Sequence, residues 1–213
     1  QGHSGSNLPA DTSCLIYSPA IPAENPERIE AARRGLPQCS YGQMVGQLMQ
    51  TRRGVCIAGT HGKSTTTAMV GWTMTHAGRD PSVLVGAELA NPLQRGTLGF
   101  SVSESGRTSD VSPAEVRTLS LATEHRSGWA GAGDLLVVES CEFQRSFLDF
   151  QPQCAAILNV EPDHFDCFAD EKSLEDAFSD FANRVPSSGV IVVSGDSDAA
   201  MRCASRSLAR LVT

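Results

Sequence analysis

VCIAGTHGKSTTTAMV, residues 55–70, is the stretch from which the fold follows. An apolar run, Val55 to Ala58, stops at Gly59. A small polar loop then carries Gly62, Lys63 and Ser64, and an apolar-periodic segment starts through Ala68, Met69 and Val70. Strand, tight glycine turn, helix N-terminus is an arrangement that holds phosphate, because the first N–H groups of a helix have no internal partner and its dipole favours an anion there. Lys63 adds a positive charge, Ser64 a hydroxyl of the kind that ligates magnesium, and Thr65, Thr66 and Thr67 further hydroxyls. The common spacing G-x-x-x-x-G-K-[ST] would put glycine at 57. Here Ile57 stands there and Gly59 opens a shorter G-x-x-G-K-S loop. A glycine turn before an ordinary helix is the competing explanation; the flanking strand, the helix and the hydroxyl run favour phosphate.

Working outward, the chain alternates. Upstream, Cys14–Ser18 reads as a strand, Glu27–Arg34 as a helix capped by Asn25 and Pro26, Leu36–Ser40 as a strand and Tyr41–Thr51 as a helix with Met44, Val45, Leu48 and Met49 on one face. Downstream, helix 63–77 ends before Gly78, and Ser82–Gly86 is a strand. From Ala87 to Gly133 the periodicity dissolves into Gly, Ser, Thr, Arg and Glu, which predicts a surface excursion with room for short strands of its own. Buried strands return at Leu135–Glu139 and Cys154–Asn159. Asp170 caps a helix over Glu171–Val185, Val190–Val193 is a strand, and Asp198–Leu211 is a final helix. Strands that are apolar throughout, alternating with amphipathic helices, predict an α/β fold with a mostly parallel sheet covered on both faces.

Composition narrows the function classes. Of 213 residues 40% are hydrophobic and 19% charged, ordinary for a globular domain. The net charge of −7 argues against a general nucleic-acid binder, and no apolar run approaches the ~20 residues that span a bilayer, so no membrane partner is expected. Gln1 to Pro9 has neither the basic start nor the apolar core of a signal peptide. The seven cysteines are widely spaced, with no C-x-x-C pair, which reads as buried thiols in a reducing cytoplasm.

In a parallel sheet, ligands gather at the carboxyl ends of the strands. The residues placed there are Gly59–Ser64, Glu139, and Asn159 with His164 behind it. Glu139 follows four apolar residues and faces the phosphate loop, a position for a magnesium ligand. Glu142 lies three residues on, and the residues alone leave the choice between them open. Asp134 belongs to the opposite end of its strand. His164 sits among Glu161, Asp163 and Asp166, a setting for a metal or phosphate contact. His61 lies inside the loop itself, near nucleotide or substrate.

GTHGKSTTTAM, LVVESCEFQRSFL and AAILNVEPDHFDCF together resemble the three signatures of the central ATP-binding domain of the Mur ligase family, in its alanine-adding branch. Upstream, NLPAD, YSPAIPAENPE and GLPQCSYGQM resemble the end of that family's N-terminal UDP-binding domain. The resemblance implies a P-loop-type sheet preceded by a remnant of a Rossmann-like domain. It divides the chain into 1–50 (end of the N-terminal domain) and 51–213 (central domain), with the C-terminal domain outside the chain. It implies ATP and Mg2+ as cofactors and UDP-N-acetylmuramate and L-alanine as substrates, joined through an acyl phosphate. Gly59, Thr60, His61, Gly62, Lys63, Ser64 and Thr65 would hold the nucleotide, and Lys63, Glu139 and His164 would carry the chemistry. Ser64 and Glu139 would ligate one magnesium and His164 a second, with His61, Asn159 and His164 towards the substrate. With much of the family's length missing, the chain by itself is expected to bind ATP weakly and not to ligate.

The match has departures. Ser64 stands where threonine is usual, which keeps the hydroxyl. ESCEFQRSF replaces the commoner EADESDGSF, with fewer acids and with Arg145 where an acid or small residue would stand. No lysine occurs near Phe178–Asp180, where some relatives carry a carbamylated one, as expected for this branch. Within the class, a murein-tripeptide recycling ligase or a folylpolyglutamate-type synthetase are the alternatives. A non-catalytic nucleotide-binding switch or scaffold is the alternative from another class; it would need no Glu139 or His164.

Overall fold

A computed structural model describes residues 2–89, 126–162 and 167–213. The chain begins with a small parallel pair, β1 (Leu15–Tyr17) and β2 (Gln38–Ser40), joined by α1 (Pro26–Arg33). Asn25 caps α1 by accepting from the Glu27 N–H at 2.9 Å, with Pro26 preset for the first turn. Ser40 and Gln43 then form a reciprocal capping box that starts α2 (Tyr41–Met49) directly from β2.

The remaining strands are β3 (Arg53–Ala58), β4 (Ser82–Leu89), β5 (Arg126–Trp129), β6 (Leu135–Ser140), β7 (Cys154–Ile157), β8 (Val190–Val193) and β9 (Arg210–Val212). They form one sheet in the order β5-β4-β6-β3-β7-β8-β9, parallel except for the β4–β5 pair. Its helices are α3 (Lys63–His76), α4 (Glu171–Ala182) and α5 (Asp198–Ala204). Successive residues of each strand serve opposite faces. Cys56, Ala58, Leu136, Val138, Ala155, Ile157, Ile191 and Val193 pack with α2, α4, α5 and Phe147 in the main core. Val55, Val83, Val85 and Val137 pack on the other side with Val70 of α3. Both faces are therefore covered, which is why the strands are apolar throughout.

Helix α2 shares that main core through Val45 and Met49. Gly46 permits the approach: a Cβ there would come within 2.2 Å of the Asp149 carbonyl oxygen. The expected division at residue 50 thus falls after a helix that is packed on the large sheet.

One expectation gains detail and another needs correction. Within the excursion predicted over 87–133, β4 continues to Leu89 and the chain returns as β5, antiparallel to it. The RSGW of β5 carries one apolar side chain and a glycine whose Cβ would meet the Val83 carbonyl oxygen at 2.2 Å, so hydrophobic alternation could not reveal it. Residues 90–125 lie outside the described part. The final helix predicted over 198–211 ends at Ala204, and after a serine turn Arg210–Val212 adds a parallel strand beside β8. A run as short as ARLVT has no period to distinguish helix from strand.

Candidate functional site

The register sets the geometry. Ala58, the last residue of β3, pairs with Ser140 of β6 on one side and Ile157 of β7 on the other. The glycine loop therefore emerges between two neighbouring strand ends. The strand order also reverses here, since β3 leads through α3 to β4 on one side while β7 lies on the other. Gly59 (φ 145°) turns where a Cβ would sit 3.0 Å from the Leu158 Cβ, and Gly62 (φ 82°) makes the left-handed entry to α3.

The loop is fastened to the segment after β7. Thr60 donates its N–H to the Asn159 carbonyl at 3.1 Å, and its hydroxyl accepts from the Glu161 N–H at 2.9 Å. The Asn159 amide grips His61 from both sides, accepting from its N–H at 2.7 Å and donating to its carbonyl at 3.2 Å. Thus Asn159, expected towards substrate, has its side chain engaged with the loop backbone. The His61 ring is exposed, its Nε2 3.7 Å from Glu161 Oε2.

Helix α3 starts without a side-chain cap. The other four α-helices among the described residues are each capped, by Asn25, Ser40, Asp170 and Ser197. Its first N–H groups face the mouth of the loop together with Lys63 and Ser64. Ser64 Oγ donates to Glu139 Oε1 at 2.9 Å, and the other carboxylate oxygen accepts from the Gly86 N–H at 2.6 Å. Gly86 leaves that carboxylate room, since a Cβ would stand 3.0 Å from it and press it away from the Gly86 N–H. Lys63 Nζ donates to the carbonyls of Gly59 (2.7 Å) and Thr60 (3.0 Å) and to both Glu142 oxygens (2.9 and 3.2 Å). The two acids left open by the sequence thus divide: Glu139 meets the hydroxyl and Glu142 the ammonium.

Thr65 is exposed on the first turn, whereas Thr67 is buried with its hydroxyl on the Lys63 carbonyl at 2.8 Å, so the threonine run does not face the mouth as a set. His164, with Asp163 and Asp166, lies outside the described residues. Arg145 lies over the Phe168 ring at 5.8 Å. Tyr41, at the start of α2, has its phenol held above the usual range, first by partial burial and then by the negative charge of Glu139. Sequence reasoning missed the Thr60 bridge, Gly86 and the Lys63–Glu142 pair. Only Gly86, a glycine ending an apolar strand, carried a local signal.

Among the described residues, no three His, Cys, Asp or Glu side chains cluster to hold a metal ion by themselves. The donor set that is present, one hydroxyl and one carboxylate beside an anion cradle, suits magnesium sharing its shell with phosphate oxygens and water. All seven cysteines are free thiols, and none of the described helices is long and apolar enough to cross a membrane.

Fold and site together define a P-loop-type α/β domain. The family model for the Mur ligase middle domain matches residues 57–213, and the chain belongs to the Mur ligase family. It is 33% identical over 208 residues to the UDP-N-acetylmuramate–L-alanine ligase of Alkaliphilus metalliredigens, covering 97% of this chain and 38% of that protein. The Sorangium cellulosum enzyme of the same name is 36% identical over 90% of this chain and 34% of its own length. The chain thus spans little more than a third of these relatives. Among solved structures, the UDP-N-acetylmuramate–alanine ligase of Thermotoga maritima superposes with a TM-score of 0.69 at 21% identity, over 94% of this chain and 39% of its own. A UDP-N-acetylmuramate:L-alanyl-γ-D-glutamyl-meso-diaminopimelate ligase from Neisseria meningitides superposes at 0.70 and 21%, over 99% and 61%. At that identity the structures establish the shared α/β fold.

Proposed function

We propose that this chain is the ATP-binding part of a cytoplasmic ligase of peptidoglycan precursor synthesis that joins L-alanine to UDP-N-acetylmuramate. The observation that carries the reading is the convergence at one mouth of an uncapped helix N-terminus, Lys63 and the Ser64–Glu139 pair. The names of the curated relatives supply the substrates.

In this reaction the muramate carboxylate attacks the γ-phosphorus and ADP leaves. The amine of alanine then displaces phosphate from the acyl phosphate to form the amide. ATP would supply the phosphoryl group, and a magnesium ion held by Ser64 and Glu139 would neutralise charge on its oxygens. The chain's own contribution is positioning and charge. The N–H groups of Gly62 to Thr65 cradle phosphate oxygens, Lys63 balances charge that moves onto the transferred group, and Asn159 with Thr60 fixes the loop against the β7 end. By motif, His164 would serve a second magnesium ion and His61 would contact substrate; the reading does not rest on either.

The test is amide formation by a full-length ligase carrying this chain, supplied with ATP, Mg2+, UDP-N-acetylmuramate and one of several amines. ATP-dependent joining of L-alanine, in preference to the tripeptide L-alanyl-γ-D-glutamyl-meso-diaminopimelate, is the expected result. Preference for the tripeptide would favour the recycling ligase. Nucleotide binding without amide formation from any amine would favour a switch or scaffold.

A further inference from the structure

A lysine ammonium has three N–H donors, and those of Lys63 meet three acceptors within the protein: two loop carbonyls and the Glu142 carboxylate. Glu142 is 1% exposed and the Lys63 side chain 10%, so the pair is nearly dry. Charges are not placed in such a setting by default, because desolvating both is costly. The backbone that delivers Glu142 is also strained. Gln144 (φ 50°) and Arg145 (φ 56°) are consecutive non-glycine residues in the left-handed region, which non-glycine residues seldom occupy. The turn is held by the Arg145 N–H on the Glu142 carbonyl at 2.8 Å and by the Ser146 hydroxyl, which donates to the Phe143 and Cys141 carbonyls at 3.1 and 3.2 Å. A strained turn kept in place by three hydrogen bonds, presenting a buried acid to the loop lysine, goes beyond what closing β6 onto the next segment requires.

We infer that Glu142 is a positioning residue acting through Lys63: it latches the ammonium and competes with nucleotide phosphates for it. The inference rests on the ATP reading above and adds a regulating element to that site. With its donors engaged, Lys63 must release at least one internal acceptor to reach a phosphate, so apparent affinity falls by the fraction of molecules that are latched.

The sequence supplies a convenient probe, since Lys63 and Lys172 are its only two lysines. Lys172 is 81% exposed and serves as internal reference for amine acylation followed by peptide mass spectrometry. In the 213-residue chain Lys63 should acylate far more slowly than Lys172, and Glu142→Gln should raise the Lys63-to-Lys172 ratio by about fivefold or more. In a full-length ligase carrying the chain, the same substitution should tighten MgADP binding about tenfold, with Glu142→Asp, charged but shorter, falling between it and wild type. Thermal melting confirms that each variant folds, and Cys141→Ser, a neutral change in the same loop, controls for general loosening. If Glu142→Gln folds but leaves the acylation ratio and MgADP affinity unchanged, or weakens MgADP binding, the latch is overturned while the ATP reading stands. Absence of binding in wild type and Glu142→Gln alike, at millimolar MgADP, overturns both.

Discussion

Strand β6 carries acids at both ends, and the two ends are built differently. At its amino end Asp134 is 54% exposed and loosely paired, 3.6 Å from Arg53 and 3.5 Å from Arg79. Its neighbour Arg52 ties loops together, donating to the Gly133 carbonyl at 2.8 Å and to Ser82 Oγ at 3.1 Å. Charges there are wet, replaceable and engaged in holding the chain. At the carboxyl end Glu139 and Glu142 are drawn inward, bonded to a hydroxyl, a backbone N–H and an ammonium around a loop that opens beside an uncapped helix. The sheet is equally well made at both ends, so folding does not explain the second arrangement. A site for a charged ligand does.

The comparison can be broken most severely through activity. In a full-length ligase, Glu139→Ala should lower the rate of amide formation by about a thousandfold or more, because it removes a preorganised charge from phosphoryl transfer. A loss under tenfold would return Glu139 to the status of Asp134. Next in size is stability. Lys63→Met takes the ammonium from the nearly dry Glu142 and should destabilise the chain by about 3 kcal/mol, much of it recovered in the double variant Lys63→Met/Glu142→Gln. Denaturant titration of the four proteins measures that coupling, and additive effects would show that the pair does not act as a unit.

These expectations trace how far the residues alone could lead. The glycine loop, the strands around it and Glu139 were legible because each is a local pattern: an apolar run ending in a glycine or an acid. The partner of Lys63 was not, since residues 63 and 142 meet only through the β3–β6 register, and nothing local says which of two acids three residues apart meets the ammonium. The edge strands β5 and β9 were illegible for another reason. With three or four residues each, and pairing on one side only among the described residues, they need little hydrophobic pattern of their own.

A smaller effect separates the interior from both ends. Burial in β3 pushes the Cys56 thiol up to about 12. Because the folded chain holds that proton more tightly than the unfolded one, stability is intact below the free thiol's pKa of 9.0 and declines as pH rises from there to about 12. The slope is about 1.4 kcal/mol per pH unit, and Cys56→Ala should flatten it in denaturant melts taken across that range. The smallest effect belongs to the wet end. Asp134→Ala should change stability by no more than about 0.5 kcal/mol, and less at high salt. A larger loss would mean that the amino end is more tightly built than its exposure indicates.

The contrast is tested most directly by magnesium–nucleotide binding to a full-length ligase carrying the chain, compared by calorimetry in wild type, Lys63→Met and Asp134→Ala. The account predicts that Asp134→Ala binds MgATP as wild type does, while Lys63→Met binds about a hundredfold more weakly. Equal affinity in all three would contradict a nucleotide site at the carboxyl end of β3.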